Sequence, residues 1–413
     1  MKKSVVGLSG LAAAALVLTG CGGGGFDETP EGSQSGASDA SIEVLIGSSG
    51  EAETAAVEEA VAAWSKESGI PASVVVASDL PQQLSQGFAG GNPADLFYLS
   101  TDQLHSYASN GSLKPYASNL SNAKDFYPAL VDAFSIDDEF YCAPKDFSTL
   151  ALVINTRLWE EAGLTDADYP TTWDELADVA KKLTKDGVVG LGFGPEIQRI
   201  GVFMAEAGGS FISEDGAKAT IDSPENAEAL NYVKSHLEDG TFAYSSDLGT
   251  GWGGEAFGKE LSAMVIEGNW ITGALTNDFP NVEYKVIELP AGPAGKGTIQ
   301  YTNCWGIAAD ADNTEGAQDL VEYLTSTDQQ LKFAKAFGVM PSVESAADGW
   351  TEMYPEMSAF INGADYAINL PSNAGSADVI SDMNSQIATL KTGDVASILK
   401  GSNTTMQSVL DAN

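Results

Sequence analysis

The chain has 413 residues, 58 of them acidic against 20 basic, for a formal charge of -38, with only two histidines and three cysteines. Without a basic footprint to displace phosphate counterions, nucleic-acid binding is disfavoured, while the acidic excess fits solubility and leaves a cationic ligand open. His105 and His236 lie far apart with no partner spacing, so no metal site or cofactor is expected, and both read as exposed helix residues.

Lys2 and Lys3 precede an apolar run from Val5 to Leu18 that closes on Leu18-Thr19-Gly20-Cys21. The run is too short for a stop-transfer span, so residues 1–20 read as a signal peptide. A cysteine directly after the break resembles the bacterial lipobox, which implies lipid on Cys21 and an anchor on the extracellular face of the cell membrane. Residues 21–40 carry many Gly, Ser and acidic side chains and little to bury, the composition of a flexible tether.

From Ser41 onward the composition is that of a globular protein, over a length that implies two domains. Ile42 to Ile46 reads as a strand, and Val57, Ala60, Val61 and Trp64 recur at helical spacing behind it. Ser73 to Ala77, a helix over Pro81 to Phe88 and a strand over Ala94 to Leu99 complete a β-α-β-α-β series, the signature of a parallel sheet covered on both faces. A second α/β block opens with a strand over Leu150 to Ile154. Thr172 and Glu175 form a capping box there, and Ser223-Pro224 starts another helix. Ala263 to Ile266 and Tyr284 to Ile287 add strands, and after Asp310 the chain turns mostly helical. An exported chain meets an oxidising environment, but Cys142 and Cys304 are read equally well from the sequence as a disulfide or as free thiols.

Several separated segments look like the carbohydrate-binding proteins of ABC importers, the family called extracellular solute-binding proteins type 1. They are GNPADLFYLSTDQLHSYASNGSLKPY from Gly91, YCAPKDFSTLALVINTRLWEEAGL from Tyr141 with TTWDEL from Thr171, FGKELSAMVIEGNW from Phe257, ELPAGPAGKG from Glu288 and GVMPSV from Gly338. The resemblance implies an α/β fold of two lobes, periplasmic-binding-protein-like, with hinge crossover strands. Lobe 1 would use 41–143 plus 303–343, and lobe 2 would use 144–302 plus 344–413. Cys142 and Cys304 both fall where that family's chain crosses between lobes, so the resemblance favours a hinge disulfide. It also implies a monomer that is no enzyme, delivering an oligosaccharide ligand to ABC transporter permease subunits.

A sugar offers hydroxyls that donate and accept, plus C–H faces that are effectively apolar, so its site needs aromatic platforms together with carboxylates and amides. Trp270, matching a family tryptophan that lines the sugar cleft, is the leading platform, with Trp252 in the glycine-rich GTGWGGEAFG as an exposed second. Polar candidates are Asp146 at the first crossover, Glu267 and Asn269 around Gly268, Glu51 and Asp102 after strands, Tyr301 before the second crossover, Gln198, and Asn373 in a polar loop. Glu51 and Asp102 read equally as helix N-terminal charges. Two rival functions stay in view: binding of a polyamine or other small cation, and a secreted carbohydrate-active enzyme. An enzyme would need a carboxylate pair that so acidic a chain supplies by accident, and a surface adhesin is a further rival.

Overall fold

The computed structural model describes residues 40–412; the expected signal peptide, Cys21 and all but the last residue of the expected tether lie outside them. Its strands in chain order are β1 Ile42–Ile46, β2 Ala72–Val76, β3 Leu96–Ser100, β4 Ser135–Ile136, β5 Glu139–Phe140, β6 Ala143–Asn155, β7 Val189–Phe193, β8 Phe242–Tyr244, β9 Ser262–Gly268, β10 Tyr284–Ile287, β11 Thr298–Ile307 and β12 Ala367–Ile368. The main sheet runs β2-β1-β3-β11-β6-β9-β7-β8, with β10 beside β6 and β12 beside β11.

The β-α-β-α-β series forms as its alternation dictates: β1 pairs in parallel with both β2 and β3, and helices Glu51–Ser68 and Leu80–Gly90 join them. The first helix turns its stripe of Val57, Ala60, Val61 and Trp64 into the core and ends on Gly69, whose φ of 78° supplies a left-handed cap. Asp79 caps the second by accepting from the Gln82 N–H, with Pro81 in its first turn. Toward the C-terminus the helices Thr314–Leu324, Thr327–Phe337, Ser376–Ile387 and Val395–Leu410 follow one another as their periodicity requires.

Four expectations need correction. The strand read as Leu150 to Ile154 is the end of the thirteen-residue β6, whose polar first half stays extended because β11 pairs with it from Ala143 to Thr149. The capping box is displaced: the Thr172 hydroxyl accepts from the Glu175 N–H, but the Glu175 carboxylate reaches back to the N–H and hydroxyl of Thr171. His105 and His236 sit on helices yet are half-buried, the latter ring packing against Phe242. Trp252, read as exposed, is half-buried too; its indole lies over Gly254 and against the third of the apolar clusters described next.

The core falls into three apolar clusters. One gathers β1, β3 and their helices with Cys304 to Ala346; a larger one gathers Leu150 to Leu289 with Val379 to Met406. The third, centred on Phe147, Val265, Met340, Trp350 and Phe360, lies over the middle of the chain's long strands. β6 and β11 run side by side through the sheet between the first two, so these two strands position the site.

Candidate functional site

β6 and β11 are antiparallel, pairing Gln300 with Thr149, Tyr301 with Ser148, Thr302 with Phe147 and Asn303 with Asp146, then shifting so that Cys304 faces Pro144. The shift leaves Lys145 as the extra residue of a bulge, a device that re-aims a side chain. Lys145 is buried and reaches Glu53 at 3.2 Å, the adjacent Asp146 carboxylate, and the face of Tyr98 at 4.4 Å. Glu53 also accepts from the Ser49 N–H and hydroxyl and from the Tyr98 hydroxyl. Burial pushes Glu53 upward, but the Lys145 charge and the Ser49 bonds outweigh it and hold its carboxyl below the ordinary range. For Asp146 burial prevails over the pull of Lys145, and its pKa is raised. Just beyond the bulge Cys142 and Cys304 are joined by a disulfide, with Cα atoms 5.7 Å apart.

A second cluster forms where β9 ends. Glu267, 1% exposed, accepts from Arg199 at 2.8 Å and from the Trp270 indole N–H at 3.0 Å. Burial raises the Glu267 pKa beyond what Arg199 restores. Gly268 makes room for the indole, since a Cβ there would stand 2.2 Å from the ring. The indole meets Tyr301 edge-on at 5.3 Å, with the Arg199 guanidinium 5.4 Å from its centroid. Trp270 nevertheless stays 39% exposed, alongside Val75 and Val76 as the exposed large hydrophobics among the described residues. A fixed, accessible indole is what a sugar's C–H face stacks on.

Next to Tyr301 opens a cavity of about 550 Å³, lined by Asp102, Gln198, Gln300, Asn303 and Asn384 among others. The Tyr301 hydroxyl donates to the Gln198 carbonyl at 2.6 Å, and the Asn384 amide donates to Gln198 Oε1 at 3.0 Å. The lining is thus mostly neutral and rich in amides and hydroxyls, with Asp102 its one carboxylate.

Of the residues singled out from sequence, Asp102, Gln198 and Tyr301 line this cavity, and Trp270 and Glu267 adjoin it through Tyr301 and Arg199. Asp146 lies opposite Asn303 on the neighbouring strand, its carboxylate engaged by Lys145. Asn269 is buried, accepting from the Ser148 hydroxyl at 2.6 Å and donating to the Gly338 carbonyl at 2.9 Å. Glu51 is exposed in the first turn of its helix, two residues from the buried Glu53. Asn373 offers its carbonyl to the Ser376 N–H before helix Ser376–Ile387, outside the cavity lining. Trp252 packs away as described.

Sequence reasoning passed over Glu53, Gln300 and Asn369. Signals existed for the first two. Glu53 falls four residues before Val57 on the helix's own apolar stripe, and Gln300 opens the unbroken polar run Gln-Tyr-Thr-Asn between Ile299 and the apolar end of the strand. Asn369 sits in a short irregular segment with no such mark.

The fold is the two-lobe, periplasmic-binding-protein-like α/β fold, with β6 and β11 running beside a cavity lined by Tyr301 and several amides. The crystal structure of the cyclic alpha-maltosyl-1,6-maltose binding protein from Arthrobacter globiformis matches with a TM-score of 0.80 at 21% identity, covering 91% of this chain and 100% of that one. The family described as bacterial extracellular solute-binding protein matches residues 59–360, and the chain belongs to that family. Among its relatives are the diacetylchitobiose binding protein DasA of Streptomyces coelicolor, 24% identical over 84% of this chain and 83% of that one, and the galactooligosaccharide-binding protein of Bacillus subtilis, 24% identical over 82% and 80%.

Proposed function

We propose that this chain captures a neutral oligosaccharide between its lobes and delivers it to the permease subunits of an ABC importer, catalysing no reaction. The observation that carries the reading is the accessible Trp270 indole, locked by Glu267 and set at right angles to Tyr301 beside a cavity lined by amides and hydroxyls. Relatives whose names specify oligosaccharides support the ligand class. The first two apolar clusters support lobes built from 41–143 plus 303–343 and from 144–302 plus 344–413, with the third cluster spanning both. Ligand touching both lobes favours the closed form, and the permease recognises that form. The chain works as a monomer held to the membrane by lipid on Cys21. No helix among the described residues is long and apolar enough to cross a membrane.

A polyamine would call for several carboxylates around an aromatic box. The cavity lining instead offers Asp102 alone, with the cations Arg199 and Lys145 close to the same strands. The test is a thermal-shift screen of the mature chain over plant, milk and starch-type oligosaccharides and polyamines, followed by calorimetry at low and high salt. A sugar that raises the melting temperature, binds with little salt dependence and is recovered uncleaved supports the reading. A response to polyamines alone, or cleavage products on chromatography, overturns it.

A further inference from the structure

Gln300 enters the cavity from β11 yet is only 6% exposed. Its Nε2 donates twice, to the Ala129 carbonyl at 2.8 Å and to Asn369 Oδ1 at 2.7 Å. Asn369 Nδ2 donates to the same Ala129 carbonyl at 2.9 Å. This closed triangle fixes both amides, because turning either one over would set an oxygen against the Ala129 carbonyl. Gln300 Oε1 is therefore held in one place. It is buried and has no hydrogen-bond partner within the protein.

An amide oxygen only accepts, and a buried acceptor left empty forfeits its solvation. The Tyr301 hydroxyl donates to the Gln198 carbonyl, the Asn384 amide to Gln198 Oε1 and the Thr302 hydroxyl to the Asp146 carbonyl, and no donor of the lining reaches Gln300 Oε1. Any group brought against Gln300 Oε1 must donate. A carboxylate or phosphate oxygen placed there would meet a fixed acceptor.

We propose that Gln300 is a specificity-determining residue whose Oε1 accepts one hydroxyl hydrogen of the bound sugar, with Asn369 and the Ala129 carbonyl as its positioning groups. The cleft thereby selects a neutral sugar unit at that point against a uronic-acid or phosphorylated one. This assignment rests on the carbohydrate reading above.

The experiment uses the mature chain and the neutral oligosaccharide giving the largest thermal shift. Calorimetry compares that sugar, its monodeoxy analogues and a uronic-acid analogue on wild type, Gln300→Met and Asn369→Ala, with thermal unfolding as a check on folding. For wild type, one deoxy position costs roughly ten- to a hundredfold in affinity, and the uronic analogue does not bind. In Gln300→Met the parent sugar loses a similar factor and that same deoxy position costs nothing more. Asn369→Ala keeps the Gln300 amide and its bond to the Ala129 carbonyl but removes its second anchor, so the amide is held less tightly; it shrinks the deoxy penalty and weakens the rejection of the uronic analogue, which a merely structural role would not do. Should Gln300→Met fail to fold, Asn369→Ala carries the test. Wild type ignoring every sugar overturns the carbohydrate reading and this assignment with it. Sugar binding that is unchanged in Gln300→Met, or deoxy penalties equal in wild type and in whichever variant carries the test, overturns this assignment alone.

Discussion

Replacing Trp270 by alanine removes the platform without opening the core. Trp270 keeps 39% of its surface exposed, which for a side chain of roughly 250 Å² leaves about 100 Å² for a sugar ring to cover. At about 25 cal/mol per Å² that area is worth about 2.5 kcal/mol, or about sixtyfold in affinity. Glu267 keeps its Arg199 partner in the variant, so the fold should hold, with a stability change within about 1 kcal/mol. Isothermal calorimetry with the best oligosaccharide from the screen measures the first quantity, and urea denaturation the second. Affinity within twofold of wild type on a folded variant would refute the reasoning. So would a loss of binding that merely follows a loss of stability.

Gly268→Ala should weaken binding to a similar degree although the indole is still present, because the new Cβ would stand 2.2 Å from its ring, whereas Gly273→Ala, with open space at its Cβ, should change nothing; equal affinities for the two variants would contradict this. Lys145→Met leaves Glu53 and Asp146 buried without their shared cation, and should cost about 3–5 kcal/mol in chemical denaturation; a loss under about 1 kcal/mol would show that the pair is not held as charges. Glu206 is buried at 1% exposure, bonded through one oxygen to the Trp173 indole N–H at 2.6 Å and unpartnered at the other. Burial raises its pKa well above the ordinary 4.5, against the opposing Trp173 bond. The folded chain then holds a proton that the unfolded chain has lost, so stability is fullest below pH 4.5 and falls as pH rises toward the Glu206 pKa. Glu206→Gln removes this proton, and its melting temperature should gain on wild type progressively from pH 4.5 to 8; parallel curves would refute it.

The N-terminal β-α-β-α-β series was legible because each strand there is a short apolar run bounded by turn residues, the first helix shows a clean stripe and the second opens on Asp79 and Pro81. The polar half of β6 was not, since Pro144 to Thr149 is extended only because β11 supplies its partners from more than 150 residues away. Tyr301, Gln198 and Asp102 could be picked out as residues flanking strands and breakers. Glu53 differs from Glu51 by its place on the apolar stripe, but the cation it meets arrives only with Lys145 on the bulge, and Trp252 misled because glycine-rich sequence permits close packing as readily as exposure. The Gln300 triangle joins residues 129, 300 and 369, and no local pattern carries a contact of that span.

The most direct test of the account is a crystal structure of the mature chain grown with the oligosaccharide that gives the largest thermal shift. It should place a sugar ring flat on Trp270, with a hydroxyl directed at Gln300 Oε1 and groups of both lobes on the ligand. Sugar bound at another surface, or a cavity that stays free of it at saturating concentration, would contradict the central claim.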